Sequence, residues 1–248
     1  VETSNPVFSE TVFGDWAREE TRTNTMTVRG TASKCFLLLA ILTAVAAYVW
    51  GVGEKGGLQA IQYWTIGGAI AGLVLALLTV FVSRLAPYTA PLYAAAEGAF
   101  LGGISWWFGS MYGQAIAFNA MALTFAVLFV MLSLYTSRII PVTDKLRMGI
   151  VAATGAVFLV YLVNFVMSFF GAGVPMVHGS SVWGIGFSVV VVGIAAFNLL
   201  LDFDFIERGS QAGAPKAMEW YGAFGLLVTL VWLYISILRL LAKLQSRE

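Results

Sequence analysis

The sequence predicts an all-helical membrane protein built as a seven-transmembrane-helix bundle, and three observations carry that prediction. The chain of 248 residues is 59% hydrophobic and only 11% charged, where an average soluble domain is about a quarter charged. Seven stretches are long and apolar enough to cross a hydrocarbon core about 30 Å thick; crossing takes roughly 20 residues of helix, because unpaired backbone groups cannot face lipid. Residues 148–201 contain no Asp, Glu, Lys or Arg.

In chain order the segments lie at about 34–51, 58–83, 88–112, 114–136, 146–170, 181–203 and 220–242. Between them stand turn-forming or charged sequences, GVGEKGG, RLAP, MYGQ, TSRIIPVTDKLR, GAGVPMVHGS and ERGSQAGAPK, of which MYGQ alone is weak because no charge marks it. Connections this short leave no room for a second folded domain. Residues 33–248 therefore read as one transmembrane domain behind a polar lead, residues 1–32. The lead has no basic stretch running into a short apolar core, so no secretory signal peptide is expected. Phe8, Phe13 and Trp16 either anchor it at the membrane surface or belong to a disordered tail.

Lysine and arginine set the orientation. The lead carries Arg18, Arg22 and Arg29; the loops after segments two, four and six carry Arg84, then Arg138, Lys145 and Arg147, then Arg208 and Lys216. The other three loops hold only Lys55. The N-terminus and the even-numbered loops are thus expected in the cytoplasm. Seven crossings then put the C-terminus outside, against the bias of Arg239, Lys243 and Arg247. Either that bias is overruled or the last segment does not fully cross.

Several function classes drop out. A net charge of +1 with scattered basic residues offers no nucleic-acid footprint. Cys35 is the only cysteine and His178 the only histidine, so disulfides, multi-cysteine metal sites and histidine-based catalytic sets lack parts. Cys35 reads as a small buried residue, and His178, in a loop, keeps at most a modulating role with pH. No H-E-x-x-H, Ser–His or paired catalytic-aspartate motif stands out, so neither an enzyme nor a bound cofactor is expected. The internal repeats common in transporters are not evident. The lipid bilayer is the expected partner.

Small residues four apart, Gly68 with Gly72 and Gly98 with Gly102, allow close helix approach. Ionisable residues at membrane depth cost at least ~2.5 kcal/mol each on insertion scales and mark sites. Glu97, ten residues beyond Pro87, should lie roughly 15 Å deep, as a helix-locking carboxyl or as part of transport or sensing. Asp202 and Asp204 close the sixth segment, where carboxylates oppose the helix dipole. Two positions apart, they point about 200° from one another, so one of them turns into the bundle, and Asp202 is the deeper. Topology brings Asp202, Asp204 and Glu219 to one side together with Arg84. Gathered carboxylates titrate together unless a cation holds them ionised, and their oxygens suit Ca²⁺. Asp202, Asp204, Glu219 and Glu97 are therefore the ion-binding or pH-sensing candidates, with Asp202 as a Ca²⁺ ligand. On the seventh segment Glu219, Gly222, Gly225, Thr229, Trp232 and Ser236 share an arc of about 140°. Such a seam lines a narrow path or simply packs.

The polar lead, the seven spans, EGAFLGG in the third, the acidic LLLDFDFIERG closing the sixth and LYISILRLL ending the seventh resemble the Bax-inhibitor-motif family, which includes bacterial YccA-like proteins, over about residues 26–245. The resemblance implies a central seventh helix wrapped by six others and, for some members, a pH-sensitive calcium leak. In those members an aspartate near the end of helix 6 shares a proton with one in helix 7, and an arginine ending helix 2 pairs with the first. By residue-wise match Asp202 is the first aspartate and Arg84 the gating ion-pair partner. The second aspartate falls on Thr229, which cannot ionise; Glu219 or Asp204 is left to substitute, although Glu219 lies about 15 Å from Thr229 along an ideal helix. The resemblance thus implies a cation leak, with Ca²⁺ as permeant ion, gated around Asp202 in a bacterial inner membrane. The alternative is a non-conducting regulator of a membrane protease or stress response, as other YccA-like members are thought to act.

Overall fold

The computed structural model describes residues 25–171, 179 and 181–246. Most of the polar lead, with Phe8, Phe13 and Trp16, and the loop histidine His178 lie outside the described residues. Six long helices follow one another: α1 Val28–Phe81, α2 Ala86–Tyr112, α3 Ala115–Thr136, α4 Asp144–Ser168, α5 Val182–Gln211 and α6 Met218–Gln245, with a short 3-10 turn Ser83–Leu85 before α2. Among the described residues the one strand-like pairing is an isolated bridge between Thr25 and Pro215. All helices except α2 are long and apolar enough to span a membrane; α2 is diluted by Pro87, Pro91, Glu97 and its glycines and polar aromatics.

Six elements appear where seven segments were expected because the first two predicted segments join in α1. The junction is Gly57, whose φ of 66° and ψ of −160° are not helical and suit a residue without Cβ. Unbroken, 54 helical residues would reach about 80 Å. Instead both halves of α1 lie on α2. Gly98 and Gly102 approach Leu42 and Ala46, so the first half runs parallel to α2, whereas Gly103 approaches Thr65 and Gly68 approaches Ala96, so the second half runs antiparallel. The chain must therefore turn back at Gly57. The paired glycines make these intrachain contacts, which places their role within one chain. Lipid offers no hydrophobic force between helices, so such close approach is what packs them.

The helix ends have local causes. Thr27 is extended and its hydroxyl accepts from Gly30 N at 2.9 Å, starting α1 at Val28, inside the stretch read as polar lead. Thr143 and Ser181 cap α4 and α5 in the same way. α5 runs eight residues past the expected end, to Gln211, so Asp202 and Asp204 lie within the helix rather than at its C-terminus. The helix continues because Arg208 pairs with Asp204 one turn on.

α6 is the most enclosed of the spanning helices. More than half of its apolar stretch is buried, whereas most of that of α4 is not. Leu227, Leu233 and Leu238 are fully buried, and α6 packs on α1, α2, α3 and α5. It runs the length of the bundle: Glu219 at its start meets α1, and Lys243 near its end donates to Gly184 O, at the start of α5, at 3.1 Å. The last helix therefore runs from one end of the bundle to the other.

Candidate functional site at the charged end of the bundle

The starts of α1, α4 and α6 and the ends of α3 and α5 meet at one end of the bundle, and three ion-pair groups join them. The first is built on Glu219, in the first turn of α6, where a carboxylate favours the helix dipole. Its side chain is fully buried. It accepts from Thr27 N at 3.0 Å and Thr27 Oγ1 at 2.9 Å, and it pairs with Lys34. Gly30 is required here, because a Cβ would overlap the Glu219 carboxyl. Beside it Met26 is almost fully buried, its N donates to Ala214 O at 2.7 Å, and its side chain lies against Gly209 and Gly222.

The second group ties α4 to α5: Asp204 accepts from Arg147 at 2.5 Å and from Arg208 at 2.9 Å. The third ties α3 to α5: Glu207 accepts from Arg138 at 2.5 Å, from Tyr135 and from Gln211. Hydrogen bonds from Tyr135 and Arg138 hold the Glu207 carboxyl below the usual range. Burial alone would push the Glu219 carboxyl up, but the bonds from Lys34 and Thr27 together outweigh it and hold this group low as well.

Groups whose folded pKa is depressed contribute stability that is present above the unfolded value and lost as pH falls through the folded value. The difference in thermal midpoint between the wild type and Glu207→Gln should thus stay constant from about pH 8 to pH 5 and shrink only below roughly pH 4.3, the ordinary glutamate value. A difference that changes around neutrality in detergent-solubilised protein would contradict this assignment.

Asp202 lies inward of these pairs. Its carboxyl faces the Thr229 hydroxyl on α6, Cys35 on α1 lies close by, and its Oδ2 is buried without a hydrogen-bond partner. Glu97 on α2 bonds to Tyr93, lies against Gly72, and likewise keeps Oε2 buried and unpartnered. These are the two such oxygens among the described residues. Tyr93 in turn packs edge-on against Phe224 of α6, ring centroids 4.9 Å apart.

The expected carboxylate cluster does not form. Asp204 and Glu219 are each claimed by their own cations, and Asp202 points elsewhere, as its 200° offset from Asp204 requires. No group of three or more His, Cys, Asp or Glu among the described residues is placed to hold a metal ion. Arg84 is exposed in the 3-10 turn and joins none of the four ion pairs of the described residues; the cations that matter are Lys34, Arg138, Arg147 and Arg208. The α6 seam is packed: Gly222 is closed over by Met26, Thr31 and Ile206, and the Ser236 hydroxyl donates to Trp232 O at 2.8 Å. Thr229 is buried, its hydroxyl also 3.3 Å from Gly225 O. Of the residues missed, Arg208 was readable as an i,i+4 partner of Asp204. Lys34, Arg147 and Glu207 depend on which helices meet.

These features define a class: an all-helical integral membrane protein that laces one end with ion pairs and keeps two unpartnered carboxyl oxygens inside. The chain belongs to the Bax inhibitor 1 like family, whose model matches residues 5–246. No curated protein matches it.

Proposed function

We propose that the protein is a pH-sensitive cation leak of the bacterial YccA-like branch, gated by protonation around Asp202, with Ca²⁺ as the permeant ion. It resides in the inner membrane with its N-terminus in the cytoplasm and crosses seven times, with the last helix at the centre. The reversal at Gly57, with both halves of α1 on α2, supports the crossing number, and the burial of α6 supports its place. Asp202 carries the functional reading: an acidic side chain without a cationic partner, facing Thr229 on the most enclosed helix, takes its neutralising charge from a proton or a passing cation. Glu97 is the second such group along α2. The ion-paired end, with Met26 seated over Gly222, is a closed conformation. Arg84, exposed beside this end, is free to approach Asp202 only after a rearrangement.

In proteoliposomes the wild type should pass Ca²⁺ at a rate that varies between about pH 6 and pH 8, and Asp202→Asn should flatten that profile. Wild-type flux equal to that of empty liposomes ends the proposal.

One observation favours a second reading, a non-conducting regulator acting on a membrane protease or in a stress response through protein contacts. Thr229 stands where a partner carboxylate would be, and the seam beside it is filled. The same liposomes decide between the two, because a regulator leaves Ca²⁺ inside.

A further inference from the structure

The first half of α1 and α3 both flank α2 and α6 without packing extensively on each other. Between them lies a cleft of about 310 Å³, near the lower end of the range for small-molecule sites. Leu42 and Ala46 form one wall and Met121 and Phe125 the other, with Leu101 of α2 and Leu230 of α6 as floor. At one end Trp50 and Phe118 approach with ring centroids 6.3 Å apart.

Most polar groups on this lining are already satisfied by the protein, the Thr43 hydroxyl and the Trp50 indole N–H being the exceptions. Ser105 Oγ and Tyr234 OH hydrogen-bond each other at 2.7 Å, and the Thr124 hydroxyl donates to Ala120 O at 2.7 Å. The cleft therefore offers mostly hydrocarbon with few free donors or acceptors, too few for water, which needs two to four polar partners. Its mouth faces the bilayer: Phe118, Met121 and Phe125 are all exposed. Between Leu39 and Trp50 the lining covers roughly 16 Å of helix, a long and narrow space that suits an unbranched chain. Trp50 lies at the end away from the ion pairs, and tryptophan favours the headgroup level.

We propose that this cleft is an acyl-chain site, holding one hydrocarbon chain of a phospholipid that enters from the leaflet on the Trp50 side. The chain would lie against Leu230 and Tyr234 of α6, on the turns beside Thr229, so that lipid chain chemistry bears on the most enclosed helix. The assignment is independent of whether the protein conducts ions.

The test uses the full-length protein in liposomes of phosphatidylcholine carrying a diazirine near the middle of one chain, with crosslinks mapped by mass spectrometry. Crosslinks should concentrate on the cleft residues relative to Phe158 and Phe165, which are exposed on α4. Ala47→Phe, which narrows the mouth, should abolish the cleft crosslinks and leave those on α4 unchanged; Met121→Trp serves the same purpose should Ala47→Phe fail to fold. Wild-type crosslinks spread evenly over the cleft and α4 would overturn the proposal. So would cleft crosslinks that survive both substitutions.

Discussion

Glu219→Ala should lower the unfolding free energy by about 3 kcal/mol, since removing one partner of a buried ion pair leaves the other uncompensated. Lys34 keeps about a fifth of its side chain exposed, so the low end of that range applies. The loss also strips Thr27 N and Oγ1 of their acceptor, at the point where α1 is capped. Glu219→Gln retains an acceptor for Thr27 but not the charge and should fall between the two. Thermal or denaturant unfolding in detergent measures the effect, and hydrogen exchange over residues 26–30 locates it. Unchanged midpoints in Glu219→Ala would mean that this carboxylate does not hold the start of α1 onto α6.

A comparably large loss is expected from Gly98→Ala. A methyl group there would lie 2.5 Å from Leu42 O and 2.9 Å from Val45 Cβ, so α1 and α2 must separate, at a cost of roughly 3 kcal/mol, the upper range for overpacking. Gly102 is as tight, 2.5 Å from Ala46 O. Gly67→Ala is the control, because nothing lies within 4 Å of its added methyl. Alanine there should be neutral or stabilise by up to about 1 kcal/mol through helix propensity. The same chemical change should therefore destabilise at one glycine and not at the other. Equal effects at both would show that propensity, not interhelical contact, decides.

The helices were legible because lipid imposes a simple rule. Uncharged apolar stretches such as 148–168 and 182–201 have no alternative to helix in a bilayer, and the breaks at Gly113 and around Pro141 follow from residues that cannot continue one. Less legible was the end of α5. Asp202 and Asp204 read as a boundary because charge is cheap at an interface; the helix instead continues to Gln211, with Arg147 of α4 and Arg208 meeting Asp204. The 200° offset between the two aspartates did foretell that they would face different surroundings. Their partners were another matter. Arg84 was the arginine to expect, yet it is exposed, and Glu219, expected beside Asp202, is claimed by Lys34 and Thr27.

By itself the sequence determined the class: apolar length and the spacing of charges dictate an all-helical membrane protein, and Asp202 and Glu97 stand out because buried charge is costly whatever surrounds it. Only the tertiary structure decided which carboxylates are neutralised and which are left alone. Ion pairing depends on a few ångströms between side chains on different helices, and no period along one helix encodes that distance. Glycine contacts, among them Gly30 under Glu219 and Gly98 on Leu42, set those separations, so the unpartnered oxygens of Asp202 and Glu97 are a consequence of how the helices pack.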